Sequence, residues 1–122
     1  MFAEVKAMLP VSGDDYDPQI VTQIKAAALD LTTSAEIVLP GTINVSATLE
    51  AATTSEPEHW MITDHSTVKD ELIITAIAVW CNMRIGNPPN YDQLRAAYEA
   101  LKGQMRLSRR YTQYEGADVI CG

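Results

Sequence analysis

The sequence has few of the residues that build catalytic or metal sites. Its 122 residues include two cysteines and two histidines, and aromatic side chains make up only 7% of the chain. Cys81 and Cys121 lie far apart and form no Cys-x-x-Cys pair, so their spacing indicates neither a zinc site nor a redox motif. Nucleophile motifs and glycine-rich phosphate loops are also missing. These absences favour a protein that is not an enzyme, holds no cofactor and works by contact.

Basic residues and long apolar runs are scarce as well. Nine lysines and arginines stand against sixteen acidic residues, which gives a net charge of -7. This balance argues against general nucleic-acid wrapping, because phosphate binding needs many basic side chains. The longest apolar run, Leu72 to Cys81, falls short of the roughly 18 residues of a membrane span. The first residues do not resemble a signal peptide. We therefore expect a protein made and kept in a reducing, soluble compartment, with no membrane partner.

The charges are distributed unevenly along the chain. The region from Glu4 to Asp64 is strongly acidic and contains only Lys6 and Lys25 as basic residues. Four basic residues fall in one short later stretch: Lys102, Arg106, Arg109 and Arg110. Two halves of unlike charge suit head-to-tail contact between subunits, or an acidic partner. A solvated tail is the plain alternative.

Composition and periodicity predict one mainly α domain. Apolar residues make up 47% of the chain, enough for a small bundle of three to four helices over residues 1–107. The segment 38–62 instead alternates apolar and polar residues. It predicts a β-hairpin or extended insertion between the second and third helices. Residues 108–122 are expected to form an extended C-terminal tail.

Helix boundaries follow from caps and breakers. The first two predicted helices run from Phe2 to Leu9 and from Asp17 to about residue 35 or 36. The third runs from a cap at Asp64 or Ser66 to about residues 84–87. The fourth runs from a cap at Asn90 to a stop at Gly103, or alternatively on through Met105 and Leu107. The third helix is apolar nearly all round. A helix of this kind needs neighbours on several sides, in its own fold or in a subunit interface. The residues expected to pack the core or a subunit contact are Leu72, Ala76, Val79, Trp80, Met83, Leu94, Tyr98 and Leu101.

Two groups contain metal-binding residue types: His59, Asp64 and His65, and Asp14, Asp15 and Asp17. The two histidines lack the i, i+4 spacing that places a pair on one helix face. The three aspartates resemble the opening of a calcium loop, but the loop's glycine and closing glutamate are missing. We interpret the first group as surface histidines and the second as a turn and helix cap, so neither group predicts a metal.

The start of the tail combines planar cations with aromatic rings: Arg106, Arg109, Arg110, Tyr111 and Tyr114. These residue types are enriched at the energetic centres of protein interfaces. They also suit single-stranded nucleic acid, where bases stack on aromatic rings. Protein contact is favoured because no longer basic stripe accompanies them, and a tail without a partner remains open.

The second half of the chain resembles a known family. Its sequence reads ITDHSTVKDELIITAIAVWCNMRIGNPPNYDQLRAAYEALKGQMRLSRRYT. The capped helix at TVKD, the apolar helix after it, GNPPNYDQL and YEALKGQMRLSRRY are similar to the head–tail connector (adaptor, or head-completion) proteins of tailed bacteriophages. The opening also fits, with a short helix, a DDYD turn and a long helix. Residues 38–60 look like that family's variable insertion.

The resemblance implies a structural virion protein made in the cytoplasm of a bacterial host. Such subunits assemble as a ring, typically of twelve copies, beneath the portal protein at the head–tail interface. The ring extends the channel through which the genome DNA passes without sequence-specific binding, and it docks the next neck or tail-completion protein. The family has no catalytic residues to transfer. Its C-terminal segment tends to reach toward the portal, which here corresponds to Leu107 to Gly122 and includes Arg109, Arg110 and Tyr111.

A small helical nucleic-acid-binding or regulatory module is the alternative from another class. A helix-turn-helix would have to use the second and third helices. The long insertion at 38–62 separates them where that motif needs a short turn.

Overall fold

The computed structural model describes residues 1–11, 13, 15–50, 59–85 and 88–108. Within them the chain forms α1 (Phe2–Ala7), α2 (Asp17–Thr33), β1 (Val45–Glu50), β2 (His59–Asp64), α3 (Glu71–Arg84) and α4 (Tyr91–Arg106). The fold is mainly α, with a two-stranded hairpin between the second and third helices. The predicted fold class is confirmed. The tail beyond residue 108 lies outside the described residues.

The third helix, α3, is the centre of the bundle. It packs against α1, α2 and α4. Ile73, Ala76, Ile77 and Cys81 are completely buried along it. Burial also raises the pKa of the Cys81 thiol to about 12, so this cysteine is a protonated apolar core residue. A helix with apolar side chains in nearly every direction needs protein on several sides, and here the chain's own helices supply it.

The first two helices each bury one apolar stripe. The short α1 places Phe2, Val5 and, just past its end, Leu9 in the core. The longer α2 buries Ile20, Val21, Ile24, Ala27 and Leu31. The spacing of three and four residues puts such side chains on one helix face, which explains why α2 is recognisable from the sequence.

The hairpin has an antiparallel register that pairs Val45 with Asp64 and Leu49 with Trp60. Hydrogen bonds continue the pairing below the strands: the Thr67 amide donates to the Thr42 carbonyl over 2.8 Å. β1 also packs against α2. The base of the hairpin is thus fixed to the bundle.

Gly41 lies at the base of the hairpin, where the chain passes close to the segment that leads into α3. Its φ is +153°, a backbone conformation that other residues rarely adopt. A Cβ atom here would lie 2.7 Å from the Thr67 Oγ1 and 3.1 Å from the Val68 amide nitrogen. The glycine is therefore required by close contact between the two segments as well as by its backbone conformation.

The predicted cap of α3 was wrong. The N-cap is Asp70, whose Oδ1 accepts hydrogen bonds from the Leu72 amide at 3.0 Å and the Ile73 amide at 3.2 Å. Asp64 and Ser66 instead belong to the end of β2 and the segment after it. Asp70 satisfies two of the amides that have no partner in the first helical turn, so the helix begins later than predicted.

Two other predicted capping roles also need correction. Asp17 is the first residue of α2, with Tyr16 at the N-cap position, and it makes no capping hydrogen bond; its Oδ1 accepts from the Lys6 Nζ at 2.6 Å. Asn90 occupies the N-cap position of α4, yet its side chain makes no capping hydrogen bond. Both helices begin where the sequence predicts, although neither the Asp17 nor the Asn90 side chain caps its helix.

Gly103 does not end α4. The helix continues to Arg106, and Met105 is completely buried beyond the glycine. Burial of an apolar side chain outweighs the roughly 1 kcal/mol that a glycine costs inside a helix. The alternative extension of α4 past Gly103 is therefore the correct one.

Candidate interaction surfaces

The residues predicted to pack a core or subunit contact meet at the junction of α3 and α4. Three of them lie in the buried core: Ala76, Met83 and Tyr98. The other five are partly buried and pack against it: Leu72, Val79, Trp80, Leu94 and Leu101. The chain therefore uses this set inside its own fold, while a role in subunit packing stays a prediction.

Trp80 connects three helices at this junction. Its ring lies 5.3 Å from the Tyr98 ring, centroid to centroid, at a tilt of 60°. Its indole Nε1 donates a 2.9 Å hydrogen bond to the Gln23 Oε1 on α2. The Arg84 guanidinium lies 4.4 Å above the ring centroid, within the range of a cation–π contact. Trp80 is half-buried, so one side of this arrangement faces outward.

A polar network ties α4 to α2 beneath the aromatic pair. The Tyr98 hydroxyl donates to the Asp30 Oδ2 over 2.6 Å, and the Lys102 Nζ lies 3.1 Å from the same oxygen. Lys102 also donates to the Ser34 hydroxyl at 3.2 Å. Burial, followed by the hydrogen bond to Asp30, raises the pKa of Tyr98 well above its usual value. The tyrosine therefore remains a protonated donor, and the network is structural.

An open groove lies beside this network. It has a volume of about 340 Å³ and lies between α3 and α4, above Asp30. Its rim contains Arg84, Tyr91 and Arg95, all exposed. Neither guanidinium forms an ion pair with any carboxylate in the described part of the chain. The groove therefore presents two arginines outside any ion pair, beside aromatic rings and the carboxylates of Asp30 and Glu99, and the two guanidinium groups suit an acidic or aromatic partner group.

The outer part of the hairpin, which we call the arm (residues 48–50 and 59–61), extends past the core. Inner residues Val45, Ala47 and Ile62 are buried or pack against the core. In the arm, Leu49 and Met61 are each 47% exposed. The register places them on opposite faces of the two-stranded sheet. Leu49 shares its face with Trp60, whereas Met61 shares the other, mainly polar face with Thr48, Glu50 and His59.

The predicted tail contact is described only at its beginning. Arg106 is the last residue of α4 and is exposed. Leu107, directly after it, is 90% exposed. The other predicted contact residues lie outside the described residues: Arg109, Arg110, Tyr111 and Tyr114. Their role stays a prediction.

The histidine and aspartate group is divided between different contacts. The Asp64 Oδ2 accepts from the Phe2 amide at 2.7 Å and lies 3.0 Å from the Met1 amino nitrogen. His59 pairs across the hairpin with Glu50, at 3.7 Å. The His65 amide donates to a backbone carbonyl. Across the described ranges, no three His, Cys, Asp or Glu side chains are grouped so that they could hold a metal ion.

The acidic turn before α2 is also committed to a structural contact. Asp17 is 5% exposed and pairs with Lys6, which fastens α2 to α1. Asp15 is exposed, and Asp14 lies outside the described residues. The turn interpretation of these residues agrees with the buried position of Asp17.

The long-range polar contacts leave little signal in the sequence. Lys102 lies by sequence in a short basic stretch, yet it is only 8% exposed and is held by Asp30, 72 residues earlier in the chain. One signal was available: Lys102 follows Tyr98 by four residues, which places both on the same helix face. Asp64 gave no comparable signal, because its contact with Phe2 joins segments that are 62 residues apart.

Comparisons with family models, with curated proteins and with solved structures found no match to this chain. Within the described residues, no helix combines the length and the hydropathy needed to cross a bilayer. The function is therefore inferred from the residues and from the fold.

Proposed function

We propose that this chain is a head–tail connector subunit of a tailed bacteriophage. In this proposal it forms a ring below the portal protein, typically of twelve copies, extends the DNA channel and docks the next neck or tail-completion protein. It acts as a structural protein of the virion rather than as an enzyme. The support begins with the sequence resemblance over residues 62–112, and the order of elements agrees with the architecture that the resemblance implies.

The observation that carries the proposal is the division of the molecule into a self-contained bundle and an uncovered arm. The four helices bury most of their apolar side chains, with α3 packed by the other three, although Leu29 on α2 is 64% exposed. The arm leaves Leu49 and Met61 half exposed on its two faces. Exposed apolar surface on a projecting element is typical of a protein contact. A subunit of a ring needs such a contact on every copy.

Charge supports a head-to-tail arrangement. Acidic residues predominate up to Asp64, whereas the end of α3 and α4 contribute Arg84, Arg95 and Arg106, all exposed. A ring requires that one face of a subunit meets a different face of its neighbour. Surfaces of unlike charge fit that requirement. We further propose that acidic surface lines the channel, because like charge prevents DNA from adhering. A bore lined mainly by arginine and lysine would contradict this last proposal.

The fold gives no comparable support to the nucleic-acid-binding alternative. The hairpin and its base separate α2 from α3, where a helix-turn-helix has a turn of a few residues. The net charge of -7 also opposes binding to phosphates.

The proposal can be tested by mixing the purified chain with the portal protein encoded in the same genome. We expect the full chain to co-migrate with portal in size-exclusion chromatography. A variant that ends at Leu107 should keep its unfolding midpoint, because Met105 is the last buried residue among those that the structure describes, and should lose co-migration. A full chain that never binds portal, or a genome without a portal gene, would overturn the proposal. A truncated chain that still binds would show that the tail is not the contact.

A further inference from the structure

The groove between α3 and α4 has the chemistry of a receptor for an acidic, partly apolar segment. Arg84 is held in place by stacking on Trp80, with 4.4 Å between the guanidinium and the ring centroid. Arg95 stands on the opposite rim, on α4. A guanidinium whose plane is fixed by an aromatic ring loses little conformational entropy when it binds a carboxylate. The groove is thus preorganised to bind a carboxylate.

The cations of the groove are not equivalent. Lys102 is already neutralised by Asp30 at 3.1 Å and by Glu99 at 3.6 Å. Arg84 and Arg95 have no carboxylate partner within the described residues. The unsatisfied part of the groove is therefore the side formed by the two arginines.

The arm carries the complementary groups. Glu50 ends β1 with its side chain 42% exposed. Leu49 and Met61 beside it expose apolar surface on the two faces of the sheet. The register puts Glu50 and Met61 on the same face of the sheet, so this face of the arm offers an exposed carboxylate, which lies 3.7 Å from the His59 Nε2, beside an exposed apolar side chain.

The arm and the groove lie on different parts of the same chain. The strands pack against α2, whereas the two arginines belong to the end of α3 and to α4. We propose that the arm of one copy docks in the α3–α4 groove of the next copy, with Glu50 facing Arg84 and Arg95. This contact joins two different surfaces, so it repeats from copy to copy and can close a ring. The inference deepens the proposed function and rests on it.

The test exchanges the charges of the two surfaces in the full-length chain. Sedimentation velocity of the chain alone, and of the chain mixed with portal protein, measures its assembly. Glu50→Arg and the double variant Arg84→Glu/Arg95→Glu should each weaken self-association by roughly tenfold or more. The triple variant that combines the three substitutions should restore it, because the pair is re-formed with its signs exchanged. Lys25→Glu, an exposed charge reversal on α2, is the matched control and should assemble like wild type. Circular dichroism at each step checks that the variants fold.

The outcomes separate the two proposals. If wild type assembles and the charge reversals leave assembly unchanged, the docking inference is wrong while the connector proposal stands. If the reversals abolish assembly and the triple variant does not restore it, the arginines bind a surface other than the arm, and the inference is again wrong. If wild type assembles neither alone nor with portal, the connector proposal itself fails.

Discussion

Trp80 shows how one residue can hold several elements together. Its ring contacts Tyr98 on α4, its indole nitrogen binds Gln23 on α2, and it is itself part of α3. Removing the side chain would leave a cavity, and the Gln23 amide would lose its partner. The half-buried position lowers the cost, because part of the ring already faces solvent.

We expect Trp80→Ala to lower the free energy of unfolding by about 2–3 kcal/mol, somewhat less than the ~3–5 kcal/mol for a fully buried tryptophan. Trp60→Ala is the matched control. Trp60 lies in the arm and outside the core, so its loss should cost less than about 1 kcal/mol, the scale of one cross-strand pair. Urea denaturation followed by circular dichroism measures both. Equal effects would show that the arm is as important to the fold as the bundle.

At the residue scale, apolar periodicity predicts which side chains are buried better than the charge pattern does. Tyr98 was expected to pack from its spacing alone, and it is 2% exposed. Lys102, one turn later on the same face, belongs by sequence to a short basic stretch, and its burial is not predictable because a lysine is rarely buried without a partner. Its partner Asp30 is 72 residues away, and single-sequence patterns do not report such distances.

The end of α2 is strained at one residue. Glu36 has a φ of +55°, and beyond it the Ile37 amide donates to the Leu31 carbonyl at 3.0 Å. This hydrogen bond joins residues six apart, one more than in the usual C-terminal turn of a helix, and the left-handed residue lies directly before the donor. Glycine is the usual residue there, since a side chain in this conformation costs about 1–2 kcal/mol.

We therefore predict that Glu36→Gly raises the free energy of unfolding by about 0.5–1 kcal/mol, after allowance for the greater freedom of glycine in the unfolded chain. Lys25→Gly, exposed in the middle of α2, is the control and should lower it by about 1 kcal/mol. Thermal or urea unfolding distinguishes the two. A loss of stability in Glu36→Gly would contradict the strain.

The end of β2 is joined to α1 through one carboxylate. Burial acts to raise the pKa of Asp64, but hydrogen bonds from Ser66, the Phe2 amide and the Met1 amino group outweigh it and hold the pKa well below its usual value near 3.8. A carboxyl whose pKa is lowered by folding stabilises the fold above its unfolded-state pKa. That stabilisation is lost as the pH falls toward the folded-state pKa.

Asp64→Asn should accordingly be less stable than wild type at pH 6. The difference should shrink from about pH 5 downward as the wild-type carboxyl takes up its proton. Urea unfolding of the two proteins across this range measures the effect. A difference that stays constant, or that grows as the pH falls, would mean that Asp64 is not linked to folding in this way.

At the element scale, the kinds of element were predictable and their caps were not. The stripe on α2 and the alternation around Val45 both report a local period, which depends on neighbours within a few residues. The cap of α3 depends on which of several acidic or hydroxyl side chains reaches the amides of the first helical turn. Asp64 was engaged by α1, so Asp70 took that place.

On the scale of the whole molecule, the helical bundle buries most of its apolar side chains within the chain, whereas the arm leaves Leu49 and Met61 half exposed. The helices account for the predicted packing residues without a second chain. Leu49 and Met61 in the arm and Leu29 on α2 expose apolar surface, and Arg84 and Arg95 form no ion pair within the described residues. From the sequence, the helix order and the hairpin were predictable. The groove was not, because it is formed by residues from three separate helices.

Native mass spectrometry of the full chain, alone and with the portal protein of the same genome, tests the central claim most directly. The connector proposal predicts a complex in which portal carries many copies of this chain in a fixed number, consistent with a closed ring. Masses of a single chain and of free portal across all mixing ratios would contradict it.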